Sequence, residues 1–531
     1  MKPMNKAQDL KQSAPTTPGN KKLQGKYDYI IIGGGSAGCA LTRRLLDTTD
    51  ATILLLESAS DGVNISSITD ARLWPQNIGS IVDYDLRYES SKNTGNNLLN
   101  LPRGKVLGGS GSINGMVWAR GHQDDYNGWA NMGNQGWDFQ SVLPFFKKIE
   151  DWEDGESDFH GAGGPVRIER TNPSHIVSER LINAAQSFGM PFLKDTNGRS
   201  PEGVGQMVAN ISEGKRCSPF NGYLEPVLNN ERLTVLTNAK VNKIEITGDR
   251  CTGVEFNWFK NRIIVKAGTE VVLSAGAIES PKLLMLSGIG PWQELKALGI
   301  SPKLDLNGVG KNLHDHVLLQ GLVFEAKVPL GAVNNNLSGA VAYWKSNLKL
   351  SRPDLMLLSG QVPFVSQAIA AKTTFPLNCF SIAPALIQVK SRGILKLKSS
   401  NADAPLHIDA NLLGEKADFE ALVNSVEIAL ELASQPEMAE LIKKIHVKVK
   451  NKKEIAEFIK DAAGSYAHPV GTCSMGTDKD AVVNPKLQVH GIRGLRIVDA
   501  SIMPVIPAAN TNAPTLMIAE YAAKLIAAQA Q

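Results

Sequence analysis

Lys26 to Ser58 reads KYDYIIIGGGSAGCALTRRLLDTTDATILLLES, and this stretch decides the fold. Tyr29–Ile32 is a short apolar run of β-prone residues, the pattern of a buried strand. Gly33-x-Gly35-x-x-Gly38 follows, then an apolar-periodic helix through Ala40, Leu41 and Leu45, then a second strand, 51–56, ending on Glu57. Gly33 serves the tight turn, Gly35 the close approach of backbone to a pyrophosphate, and Gly38 the close packing of helix on strand. The helix N-terminus offers free N–H groups to that pyrophosphate, and the carboxylate of Glu57 suits a ribose diol. Such an acid favours free ribose hydroxyls over a 2′-phosphate, which admits both NAD and the ADP half of FAD.

Outward from this unit, composition sets the frame. The chain has 531 residues, 43% hydrophobic and 20% charged, so two domains in a globular protein are expected. A net charge of +4 over that length gives no case for nucleic acid. The five cysteines are odd in number and unpaired in spacing, which suggests a reducing compartment. No apolar run is long enough to span a bilayer. Residues 1–25 are polar and read as a flexible leader without a secretory h-region. A cytoplasmic location is expected, with peripheral membrane association through a quinone acceptor left open.

Residues 58–100 are turn-rich and include Trp74, a length of irregular chain that suits a cofactor cover. Pro102–Gly121 carries the small-residue run Gly108–Ser112, read either as a flexible turn or as backbone lying against a flat ligand ahead of a helix bearing Asn114. A helix is expected over 128–150, with Trp129 and Trp137 in the core. Residues 233–273 form strands, and Ser280-Pro281 opens a helix that returns to the first sheet. Residues 320–465 alternate strand-like pieces with helices at 414–443 and 452–463, an α+β layout. The tail, 466–531, returns to the first style and ends in a helix.

Taken together, these blocks resemble the glucose–methanol–choline oxidoreductase family of flavoproteins. The resemblance rests on the opening fingerprint and on Gly104-Lys105-Val106-Leu107-Gly108-Gly109-Ser110 running to Asn114. It is carried further by Gly276-Ala277 through Gly290, Gly308 to His316, His468-Pro469-Val470-Gly471-Thr472-Cys473, and Asn510-x-Asn512-Ala513-Pro514. It implies a Rossmann-type α/β FAD-binding domain (26–175, 215–318 and 467–531) interleaved with an α+β substrate-binding domain (176–214 and 319–466). It further implies FAD held by Gly33, Gly35, Ser36, Ala37, Gly38, Glu57, Gly108, Gly109, Asn114, Gly115, Met116, Val117, Val241, Ala275, Asp499, Ala500, Asn510 and Asn512.

His468 matches the family's catalytic histidine and Asn510 its second catalytic position. The implied reaction is oxidation of a primary alcohol to an aldehyde, with hydride passing to flavin N5, His468 as base and Asn510 orienting the oxygen. Oxygen, a quinone or an artificial acceptor would take the electrons. The alternative on this scaffold is a lyase of the hydroxynitrile or photodecarboxylase type. Ile113 stands where some members carry the histidine that bonds FAD, so a non-covalent flavin is expected. Trp74 and Glu325 match positions that box a trimethylammonium group in bacterial choline oxidases, whereas Ala467 replaces their tyrosine. The other eight histidines, His316 among them, read as structural or surface, and no metal set accompanies His314-x-His316. A homodimer is left open.

Overall fold

The computed structural model describes residues 22–62, 64–171, 175–333, 335–447, 449 and 451–530. The leader read at 1–25 lies outside them except for 22–25. Two sheets organise the chain. In the first, Lys26–Ile32 is flanked by Ile53–Leu56 and by Asn261–Leu273, both parallel to it, and Leu233–Leu236 extends the parallel edge beyond Ile53–Leu56. Unbroken apolar runs such as these are the expected signature of strands covered on both faces; Ile30, Ile31, Leu54 and Leu55 are fully buried.

Asn261–Leu273 serves two neighbours on its other side. Its first half pairs antiparallel with Arg250–Trp258, which in turn pairs with Ala239–Thr247, while Val271–Leu273 pairs in parallel with Leu495–Ile497. The tail therefore returns to the opening sheet, as the sequence suggests. The helices Ser36–Thr48, Gly276–Leu286 and Asn512–Ala530 begin beside the carboxyl ends of these strands. In an open α/β sheet that edge is where ligands bind.

The second sheet is largely antiparallel, in the order Ile442–Ile445, Val323–Ala326, Cys379–Leu386, Leu355–Gly360, Ser338–Trp344, Gly203–Gln206, Phe192–Leu193, with Val317–Leu319 also pairing to Cys379–Leu386. Helices Ile176–Ser187 and Lys416–Ser434 pack on it, with Leu181 and Leu422 buried. The alternate residues of the strands, Val341, Tyr343, Met356, Leu358, Ala383 and Ala385, form a separate apolar cluster with Met207, Ile387 and Ala508.

Three local expectations are corrected. The small-residue run itself forms a 3-10 turn, Gly109–Ser112, and is followed not by a helix but by irregular chain through Asn114. The backbone explains this: Gly108, Gly109 and Met116 all have positive φ (82°, 54° and 58°), which no right-handed helix accommodates. The helix expected over 128–150 is two, Gln123–Asn131 and Phe139–Ile149, separated at Gly133 and Gly136, where φ is 94° and 85°. The helix expected over 414–443 stops at Ser434 and restarts at Pro436, which cannot donate the hydrogen bond that would continue it. Trp129 and Trp137 are core residues; their ring centroids are 6.0 Å apart, and Trp137 lies 4.9 Å from Tyr521 of the last helix.

Candidate active site

The cofactor cradle follows from the first sheet. A Cβ at Gly38 would lie 1.9 Å from the Gly33 carbonyl oxygen, so only glycine lets the helix sit this close to the strand. Gly35 caps that helix without a side-chain hydrogen bond, and its first turn holds no acid, which leaves N–H groups and the positive end of the dipole for an anion. An added Cβ there would meet nothing nearer than 3.9 Å, so this face is open. Ser36 Oγ donates to Asn512 Oδ1 at 2.8 Å and joins the N-termini of the first and last helices at one point. Ala37 lies buried in the same first turn.

Glu57 is buried, and its carboxylate accepts from the Gly34 and Ala59 N–H groups, each at 2.8 Å. Burial raises its pKa against those bonds. A carboxylate has about four lone-pair sites, so acceptor capacity remains for a ribose diol. Ala239 N–H donates to the Glu57 carbonyl at 2.8 Å, which sets Val241 two residues further along the same strand. Gly108 N–H donates to the Gly34 carbonyl at 2.7 Å and Gly109 packs on Gly35, so the second glycine block does lie against the first.

Asn114 Oδ1 accepts from Met116 N–H (2.9 Å) and from Arg216 (2.6 Å). Gly115 lies under the Trp74 indole, whose Nε1–H donates to the Asn336 carbonyl at 2.9 Å, and Val117 bridges to Ala209. Asp499 is fully engaged: it accepts from Gly276 N–H, Ser280 Oγ and Ser501 N–H at 2.9, 2.6 and 2.8 Å. Ala275 and Ala500 flank that junction. These residues suit a dinucleotide cofactor by shape and by their donor set.

His468 lies where the two sheets meet. Its backbone N–H donates to Asp315 Oδ1 at 2.8 Å, and Asp315 also accepts from Ser465 Oγ and, at 2.8 Å, from Tyr88 OH. Nε2 of His468 is 3.2 Å from Asn510 Nδ2 and its Nδ1 is 3.0 Å from His316 Nδ1. An amide nitrogen only donates, so Nε2 carries the lone pair and the ring proton sits on Nδ1, facing His316. Burial, with His316 and Arg103 nearby, holds the His468 pKa well below the ordinary histidine value, so the ring is neutral. Burial likewise pushes His316 down to about 3.

Asn510 Oδ1 and the Tyr466 hydroxyl are buried beside this pair without a partner at ordinary hydrogen-bond geometry, although the Tyr466 hydroxyl lies next to the Asn510 amide. Such orphaned groups are rare in folded interiors and mark places where a ligand supplies the missing bond. Ala467 takes φ 61°, a left-handed turn, and its carbonyl accepts from Arg103. That turn presents the Tyr466 ring to His468 at 4.4 Å between centroids. Tyr466, and not a residue at position 467, is thus the ring beside His468.

Glu325 stands apart from His468 along the second sheet. It pairs with Lys443 at 2.6 Å and lies 3.4 Å from His446 Nε2. Glu325 pairs with Cys379 in the sheet, whereas Leu318, two residues past His316, pairs with Ala385. The six residue steps of strand from one partner to the other span about 20 Å. The reading of His316 as merely structural misses its contact with His468; the matching of Gly308–His316 to a family block was the available signal. Among the described residues no group of three or more His, Cys, Asp or Glu is arranged to hold a metal, and no helix is long and apolar enough to cross a membrane.

Comparison with known proteins agrees with this geometry. Two family models described as GMC oxidoreductase match residues 27–318 and 389–519. The chain is 36% identical to the human mitochondrial choline dehydrogenase over 95% of its length and 90% of that protein. It is 34% identical to the oxygen-dependent choline dehydrogenase of Vibrio vulnificus (strain YJ016), over 95% of each. Pyridoxine 4-oxidase from Mesorbium loti superposes with a TM-score of 0.89 at 31% identity, covering 94% of this chain and 98% of that one. Aspergillus oryzae RIB40 formate oxidase shares the fold, with a TM-score of 0.88 at 24% identity over 96% and 99%. These relatives are dehydrogenases and oxidases, which does not favour the lyase alternative. With a fingerprint, a histidine–asparagine pair and family models that together span most of its length, the chain belongs to the GMC oxidoreductases, FAD-binding enzymes that act on CH–OH donors.

Proposed function

We propose that the protein oxidises a primary alcohol to its aldehyde, with His468 as the base and Asn510 as the group that orients the substrate oxygen. The observation that carries this reading is the pairing of a neutral His468 Nε2 with the Asn510 amide at 3.2 Å, beside unpartnered Asn510 Oδ1 and Tyr466 OH. FAD, when bound, supplies the acceptor for the hydride that leaves the carbinol carbon.

The protein's part is the proton and the geometry. An alcohol O–H placed between Nε2 and the amide gives its proton to Nε2, while the amide N–H holds the developing alkoxide. Burial disfavours an imidazolium, so the proton is not retained on His468 once the aldehyde has formed, and the Nδ1 contact with His316 holds the ring in the tautomer that leaves Nε2 free. Asp315 fixes the backbone of His468, and through Ser465 and Tyr88 it ties that position to two further segments.

The flavin is held non-covalently. Ile113 is apolar and buried in a small cluster with Ile68, Val82 and Val106, so it offers no nucleophile. The strand membership of the two sheets supports the interleaved two-domain division read from the sequence. Molecular oxygen as the electron acceptor is supported by the name of the Vibrio relative.

Anaerobic mixing of the holoenzyme with a panel of primary alcohols tests this reading. Bleaching of the visible flavin band with stoichiometric aldehyde is expected. An unbleached flavin with every alcohol contradicts it.

A further inference from the structure

We infer that the substrate is an uncharged primary alcohol with an apolar body, and that the site discriminates against quaternary ammonium alcohols. This deepens the alcohol-oxidation reading and rests on it. The surface that faces the catalytic pair is apolar. Tyr466 and Leu318 pack against the cluster of Val341, Tyr343, Met356 and Leu358, of which Ala508 is a member. Tyr466 is two residues before His468, Leu318 two after His316, and Ala508 two before Asn510. The three segments that bring the catalytic groups together therefore also carry them onto one apolar face of the second sheet.

Two carboxylates border that face, and both are engaged. Asp315 accepts from Tyr88, Ser465 and the His468 backbone. Asp125, which borders the face under Ala508, accepts from the Ala508 and His122 N–H groups at 2.9 and 2.8 Å and pairs with Arg352 at 3.2 Å. The charge of each already faces a guanidinium, Asp315 that of Arg103 and Asp125 that of Arg352. The Arg103 guanidinium, which donates to the Ala467 carbonyl beside His468, carries the same sign as an ammonium.

A quaternary ammonium buried without a carboxylate or a cage of ring faces loses its hydration uncompensated. In choline the nitrogen is only two carbons from the hydroxyl, so its counter-charge must lie within a few ångströms of His468. Glu325 cannot be that charge. It lies about 20 Å down the strand from Leu318 by the register of the sheet, and it already pairs with Lys443. The neutral groups left over, Tyr466 OH and Asn510 Oδ1, suit a hydroxyl rather than a cation.

The test compares choline with its carbon isostere, neohexyl alcohol, in which a tert-butyl group replaces trimethylammonium, and with benzyl alcohol. Each is mixed anaerobically with the holoenzyme, and the second-order rate of flavin bleaching is read. Bleaching by the neutral alcohols at least about tenfold faster than by choline is expected, since shape is held and only charge differs. Choline equal to or faster than its isostere overturns the inference while leaving alcohol oxidation intact. Bleaching by none of the three, with no other alcohol of the panel active, overturns both. Glu325→Gln gives a second reading: the choline-to-neohexyl ratio should stay within about twofold of wild type, and a selective loss of the choline rate beyond about tenfold overturns the inference.

Discussion

His316 and His468 meet edge to face, their Nδ1 atoms 3.0 Å apart and their ring planes at 89°. One proton is shared between those nitrogens, and the Asn510 contact at the far side of His468 places it on His468. Replacing His316 by Ala should therefore disturb the tautomer and orientation of the base without touching substrate. We expect flavin reduction to slow by about 10–100-fold, at unchanged FAD content, and the pH profile of that rate to move. A rate and profile matching wild type would show that His316 does not position the base.

Asp315 is the anchor of this arrangement. Its carboxylate is wholly buried and accepts from two side chains and one backbone N–H. Asp315→Ala leaves those donors unpaired, and we expect a loss of about 3–5 kcal/mol in unfolding free energy, with Asp315→Asn milder. Denaturant unfolding checks the order of the two variants.

The acid and alkaline limbs of stability should involve different histidines. His160 is sandwiched between Glu150 (2.8 Å) and Asp195 (3.1 Å). Burial lowers its pKa, but the bonds to Asp195 and Glu150 outweigh this and leave it raised above 6.5. Its contribution is full below the unfolded pKa and is lost as pH rises through the folded one. His160→Gln should thus cost about 1–3 kcal/mol near pH 6 and less at alkaline pH. His468 has the opposite sign: with a depressed pKa, its contribution is full above 6.5 and is lost as pH falls toward the folded value. Thermal melts across pH separate the two.

The link between protein and flavin gives a simpler check. Acid precipitation should leave all of the flavin in the supernatant, because Ile113 occupies the linking position. Ile113→His is expected to keep FAD bound; retention of flavin in the wild-type pellet would contradict the non-covalent reading.

Much of this is legible in the sequence because it depends on local geometry. The opening fingerprint needs glycine at Gly33 and Gly38 for steric reasons, and in the structure a Cβ at either position would collide with backbone. The buried parallel strands announce themselves as unbroken apolar runs. What stays hidden depends on long-range placement. The helix expected after Ser112 fails because several nearby turns need positive φ, a property spread over Gly108, Gly109 and Met116. His316 reaches His468 across 152 residues of chain, and no spacing rule connects them. Glu325 has the right residue type, but register along Cys379–Leu386, invisible in one sequence, sets it far from the base. Tyr466 reaches His468 where Ala467 turns left-handed, a conformation that alanine does not announce.

The proposed reaction turns on His468 removing the alcohol proton. The most direct measurement is stopped-flow reduction of the bound flavin by a saturating alcohol under anaerobic conditions, in wild type and in His468→Ala. With FAD stoichiometry unchanged, the variant should reduce its flavin about 10²–10⁴-fold more slowly, and added imidazole should restore part of the rate. A variant that binds FAD normally and reduces it at the wild-type rate would contradict the account.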